Sequence, residues 1–143
     1  AIGKDVNGIF SSSFPLEANV NSLSAEARAD RDEFVKRYEA KYKVAPAVQE
    51  SLGFVVGIAL ARDILAKAAS DNAADLREAS LKADVPVGSY INGWGLKFDD
   101  KGQNQRAVGS VIQWQGEKMV SVYPQANKVR DAILVPLPAW NAR

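Results

Sequence analysis

The stretch Leu52-Gly-Phe-Val-Val-Gly-Ile-Ala-Leu60 constrains the fold more than any other part of the chain. It lies within a segment whose spacing predicts a helix from about Ala47 to Ala69, started by Pro46, a residue favoured in a first helical turn. The first half of that helix is apolar on most sides, so more than one neighbour has to cover it. Gly53 and Gly57 fall on one side of it and would let another backbone come close. The run is too short to cross a bilayer, so its cover is expected to be protein.

The rest of the sequence offers little of that cover. Ser24 is placed to cap a preceding helix, with Glu26, Asp30 and Asp32 toward its start. Phe34, Val35, Tyr38 and Tyr42 share one face of that helix, and Arg28, Lys36, Arg37 and Lys41 take the others. A third helix is predicted from about Ala73 to Ala83, capped by Asp71 or Asn72, with Leu76, Ala79 and Ser80 inward. Strand signals are few. Gly8 to Ser13 reads as a short strand that Pro15 stops, leaving Ser11 to Leu16 as an extended linker, and residues 17–23 are polar and irregular. Asp100-Lys-Gly102 marks a turn, and Val108 to Gln115 and Met119 to Tyr123 read as a hairpin about Gly116. Helices of this kind need a sheet to pack on, and one strand plus one hairpin do not supply it. The sequence therefore reads as part of a larger fold.

Composition removes several functional classes. The chain has 143 residues, 47% hydrophobic and 24% charged, an ordinary globular composition with room for one domain. A formal charge of +1 gives no general attraction to nucleic acid or anionic membrane. With no cysteine and no histidine, disulfides, thiolate metal sites and Ser-His-Asp triads cannot be built. Any enzyme here would rest on lysine or carboxylate chemistry. Asp99 to Asn104 lacks the alternating oxygen ligands and distal Glu of a calcium loop, and no Lys-Ser/Thr follows Gly93-Trp-Gly95 as a phosphate loop requires. Trp94, Trp114 and Trp140 read as packing anchors, since no basic stripe interleaves them. Asp30 and Asp32 fall on a solvated face. No metal or cofactor is expected. Nothing before Asp5 has the basic and apolar regions of a secretory signal, and a cysteine-free chain suits either the cytosol or the periplasm.

Five segments carry a resemblance. These are Phe34-Val-Lys-Arg-Tyr-Glu-Ala-Lys-Tyr-Lys-Val-Ala-Pro46, Leu52-Gly-Phe54, Gly95-Leu-Lys-Phe-Asp-Asp-Lys-Gly-Gln-Asn104, Val111-Ile-Gln-Trp-Gln-Gly-Glu-Lys-Met-Val-Ser-Val-Tyr-Pro124 and the closing Val135-Pro-Leu-Pro-Ala-Trp-Asn-Ala-Arg143. In order and spacing they resemble the C-terminal part of the extracellular solute-binding proteins that serve ABC importers of branched-chain amino acids, the type I periplasmic binding proteins. The resemblance implies an α/β fold, the C-terminal portion of a two-lobed receptor comprising helices of lobe one and the last strands of lobe two. Residues 1–16 would then hold a last strand of lobe two and a hinge crossing. Residues 17–104 would be the helical part of lobe one with an edge strand, and 105–143 the return crossing, hairpin and proline-rich tail.

Function follows by the same implication. Such a receptor captures a small amino acid, branched-chain or aromatic, or a related carboxylate, by closing its lobes, without covalent chemistry. The partners implied are this small-molecule ligand, the ABC permease subunits and the missing N-terminal part of the same protein; nucleic acid is not among them. The implied location is periplasmic or extracellular, with the export signal upstream. The start of the second helix would face the cleft, placing Gln49, Glu50 and Ser51 at the ligand, where its free N–H groups suit an anion. Glu50 could meet a ligand ammonium or simply stabilise the helix start. Phe54 aligns with a tyrosine common in relatives, in a packing role. Ser11, Ser12, Ser13 and Phe14 would form the hinge; the serines read equally as strand-end caps. A ligand-sensing regulatory domain of the same fold is the second reading. An uncovered apolar helix also implies self-association of the isolated chain.

Overall fold

The computed structural model describes residues 6–13, 19–116, 118–134, 139 and 141, so Phe14 and Trp140 lie outside the described residues. The chain divides into two compact units, one formed by residues 1–22 and 109–143, the other by residues 23–108.

The first unit is built on a three-stranded sheet in the order β1-β2-β3. Strand β1 is Phe10–Ser13, β2 is Ser110–Gln115 and β3 is Lys118–Tyr123. Both pairings are antiparallel, with Phe10 opposite Gln113 and Ser13 opposite Ser110 on one side of β2, and Ile112 opposite Ser121 on the other. Gly116, at a φ of 61°, lets the chain reverse between β2 and β3 as its sequence indicated. Strand β1 begins two residues later than expected because Gly8 sits at a φ of 87°, outside the extended region, although its N–H still donates to the Trp114 carbonyl at 2.8 Å. Ile112, Gln113, Val120, Ser121 and Val122 are all buried. Successive buried residues in β3 mean that both faces of that strand are covered.

The second unit is helical. Helix α1, Ala25–Tyr42, is capped by Ser24, whose hydroxyl accepts from the Ala27 N–H at 3.1 Å, and it stops at Lys43, a left-handed residue at a φ of 61°. Helix α2, Val48–Ile58, runs on through a widened π turn, Ala59–Ile64, into a tight final turn, Leu65–Lys67. The extent is close to the predicted helix, but the winding is not, and within the widened turn Ala59 and Asp63 are buried. Helix α3, Ala73–Lys82, is capped by Asn72, which accepts from the Asp75 N–H at 2.9 Å.

After α3, the chain folds back on itself through paired backbone groups. Val85 and Leu96 exchange N–H···O bonds of 2.8 and 2.9 Å. Gly95 is required there: a Cβ would lie 2.3 Å from the Val85 carbonyl oxygen. Asp99 makes the expected turn, its Oδ1 accepting from the N–H groups of Lys101 and Gln103. Trp94 is anchored as its composition context suggested, its indole N–H donating to the Val108 carbonyl at 2.7 Å.

One expectation needs correction. Among the described residues no other backbone approaches Gly53 or Gly57, and nothing lies within 4 Å of where their Cβ atoms would be. Val56 is 66% exposed and Leu60 44%. The helical unit holds no regular strand among its described residues, so this side of α2 stays open. No described helix is long and apolar enough to cross a membrane.

Candidate functional site at the start of the second helix

Pro46 and the extended Ala47 deliver the chain into α2, and Ala47 has no side-chain oxygen with which to cap it. Glu50 provides the other half of a capping arrangement, its Oε2 accepting from the Ala47 N–H at 3.0 Å. The Ser51 N–H reaches the Ala47 carbonyl at 3.2 Å, the first bond of the helix. The N–H groups of Val48, Gln49 and Glu50 precede it and have no carbonyl within the helix to bond. They point out of the helix end, where the dipole favours a negative group.

Gln49 and Glu50 are exposed. Ser51 departs from the expectation. It is 1% exposed and its hydroxyl donates to the Ala47 carbonyl at 2.8 Å, so it braces the first turn from within. Its hydroxyl is satisfied by the backbone.

An aromatic ladder flanks this helix start. Tyr42, Tyr38 and Phe34 of α1 follow one another with ring centroids 4.5 and 5.8 Å apart, and Phe34 stacks on Phe54 of α2 at 4.6 Å. Phe54 therefore packs, as its sequence position suggested. The groove along this ladder holds about 440 Å3 and has Arg37 and Lys41 on its α1 side. Local desolvation, then the negative Glu50 and Tyr42, push the Tyr38 phenol above the ordinary tyrosine range. Glu50 thus makes its charge felt at the ladder.

The serines assigned to the hinge lie on β1, where Ser11 pairs with Ile112, Ser12 with Val111 and Ser13 with Ser110. Ser11 and Ser12 are exposed and Ser13 half-buried, so their hydroxyls are not consumed in a core.

Sequence reasoning missed the charged network on the widened turn of α2. Arg62 reaches Glu26 at 2.7 Å, Asp30 at 3.2 Å and Asp63 at 3.4 Å. Asp63 is 6% exposed and also accepts from the Tyr90 hydroxyl at 2.8 Å and from Lys67 at 3.3 Å. Burial works against the Arg62 charge, but Glu26, Asp63 and Asp30 outweigh it and raise its pKa. Burial, then the bond to Asp63 and its charge, drive the Tyr90 phenol well upward. A buried acid held by a tyrosine and two cations has its charge answered, which makes the network a brace joining α1, α2 and the Tyr90 loop. Helical spacing places Asp63 on the face of Val55 and Ala59 but could not announce its partners, because Glu26, Asp30 and Tyr90 lie far away in sequence. Among the described residues no three acidic or other ligating side chains are grouped to hold a metal ion.

The chain is 30% identical over 131 residues to Leu/Ile/Val-binding protein homolog 7 of Brucella suis, covering 92% of this chain and 32% of that protein. It is 32% identical over 126 residues to homolog 8 of Brucella abortus, covering 87% and 30%. Among solved structures, a Rhodopseudomonas palustris protein from strain CGA009 superposes with a TM-score of 0.60 at 17% identity, and an extracellular ligand-binding receptor from strain HaA2 with 0.50 at 18%. In both cases 85% of this chain matches 36% of the other. No family model matches. The fold is that of the type I periplasmic binding proteins, an α/β fold. The chain corresponds to the C-terminal part of such a protein, as its motifs indicated, and spans about a third of the length of the relatives it matches.

Proposed function

We propose that the chain is part of the ligand-binding component of an ABC importer, which captures a small amino acid, branched-chain or aromatic, or a related carboxylate outside the cytoplasm. The observation that carries this reading is the kinship with Leu/Ile/Val-binding protein homologs along 92% of the chain. The open start of α2 supports it, since unbonded N–H groups and a helix dipole suit a ligand carboxylate. Exposed Gln49 and Glu50 stand beside those groups, Glu50 being suited to a ligand ammonium. Ser51 holds the turn that presents them. No step of this function breaks or forms a covalent bond. The work is done by lobe closure, with Ser11 to Ser13 and Phe14 as the hinge and the permease subunits distinguishing closed from open.

The test is calorimetric titration of the full gene product with leucine, isoleucine, valine, phenylalanine and small carboxylates. Saturable binding is expected, weakened about tenfold or more when Gln49→Ala or Glu50→Gln removes one polar contact. Absence of binding across the panel, or turnover of any of these compounds, would overturn the assignment.

A further inference from the structure

Two buried glutamines in the sheet unit do the work of a missing strand. Gln113 is 0% exposed and Gln115 is 8% exposed, both on the central strand β2. The Gln113 amide makes four hydrogen bonds. Its Nε2 donates to the Gly8 carbonyl at 3.1 Å and the Ile133 carbonyl at 2.9 Å. Its Oε1 accepts from the Ile133 N–H at 2.8 Å and from Gln115 Nε2 at 2.9 Å. The second hydrogen of Gln115 Nε2 goes to the Asp131 carbonyl at 2.8 Å.

Gln113 thus answers both the N–H and the C=O of Ile133, as a neighbouring strand residue would in an antiparallel pair. Residues 131–134 form no strand of their own. Their backbone follows an anchor at Ser121, whose carbonyl accepts from the Val129 N–H at 2.8 Å. Beyond that anchor, the described bonds of Asp131 and Ile133 backbone groups are to side-chain amides of β2.

We propose that Gln113 and Gln115 form a latch which holds residues 131–133 as a releasable strap and ties its docking to the position of Gly8, at the entrance to β1. The coupling follows from saturation. One amide satisfies both segments, so losing Ile133 leaves a buried donor and acceptor unpaired and frees the rotamer that also holds Gly8. Because such coupling is reciprocal, displacement of Gly8 loosens the strap in turn. This inference is independent of the ligand assignment.

Amide hydrogen exchange on the whole chain tests it. Gln113→Met keeps the side-chain volume and removes every bond. The Ile133 amide should then exchange about tenfold faster or more, while amides of the β2–β3 ladder keep their protection. A variant ending at Arg130 should speed exchange at the Gly8 amide. Gln115→Met, which spares the Gly8 bond, should release Asp131 more than it releases Gly8, and serves if Gln113→Met does not fold. Unchanged protection of Ile133 in Gln113→Met would refute the latch. Unchanged Gly8 exchange in the shortened chain would refute the coupling.

Discussion

The two units of this chain treat their interiors differently. In the sheet unit even the central glutamines are enclosed, and their amides find partners within it. In the helical unit the mid-segment of α2 leaves Val56 and Leu60 largely outside, above a cavity of about 330 Å3 lined by Ala59, Tyr90, Leu96 and Phe98. Composition does not explain the contrast, since both stretches are rich in apolar residues. Strand supply does. The sheet unit contains the strands that cover its own central one, whereas the helical unit has an apolar helix and no regular strand among its described residues. A surface of this kind marks a place where another apolar surface can pack.

The largest effect expected from that contrast lies in the sheet. Ile112→Ala removes a side chain that is 1% exposed from the middle of β2 and should cost about 3 kcal/mol of unfolding free energy. Urea unfolding followed by circular dichroism measures it. A loss below about 1 kcal/mol would mean that the sheet interior is looser than its burial indicates.

What could be read from the sequence divides along the same line. The helix cap at Ser24, the cap narrowed to Asp71 or Asn72, the Asp99 turn and the hairpin about Gly116 are local devices, and each was legible because a few neighbouring residues decide it. The open side of Gly53 and Gly57 was misjudged because glycine spacing shows where a backbone can approach, not whether this chain supplies one. Of the candidate site, the exposure of Gln49 and Glu50 was legible from their position at a helix start, while the inward turn of Ser51 depends on a hydroxyl choosing the Ala47 carbonyl. Asp63 with Tyr90 and Gln113 with Ile133 join residues distant in sequence. No periodicity reports such pairs.

An intermediate effect should appear at the brace of the helical unit. Tyr90→Phe deletes the bond to Asp63 but leaves Arg62 and Lys67 in place, so the loss should be about 1 to 2 kcal/mol near neutral pH. The pH dependence has a definite sign. The folded protein holds the Tyr90 proton more tightly than the unfolded chain, so this stabilisation is complete below the ordinary tyrosine value. As pH rises above about 10, the unfolded state alone loses the proton and stability falls by up to about 1.4 kcal/mol per pH unit. Urea unfolding at pH 8 and pH 10.5 should show a steeper alkaline decline in the parent chain than in the Phe variant. Parallel declines would remove Tyr90 from the account.

The smallest effect on folding, and the sharpest test of the contrast, belongs to the open face of α2. Val56 at 66% exposure contributes little to the interior, so Val56→Ser should change unfolding free energy by no more than about 0.5 kcal/mol. The same substitution should nonetheless alter behaviour between molecules. An apolar face carrying Val56 and Leu60 beside unobstructed Gly53 and Gly57 is expected to make the isolated chain self-associate as concentration rises. Val56→Ser combined with Leu60→Ser should suppress that association, as measured by light scattering across a dilution series. A parent chain that stays monomeric at every concentration would show that this face needs no partner, and the lack of a strand over α2 would lose its consequence.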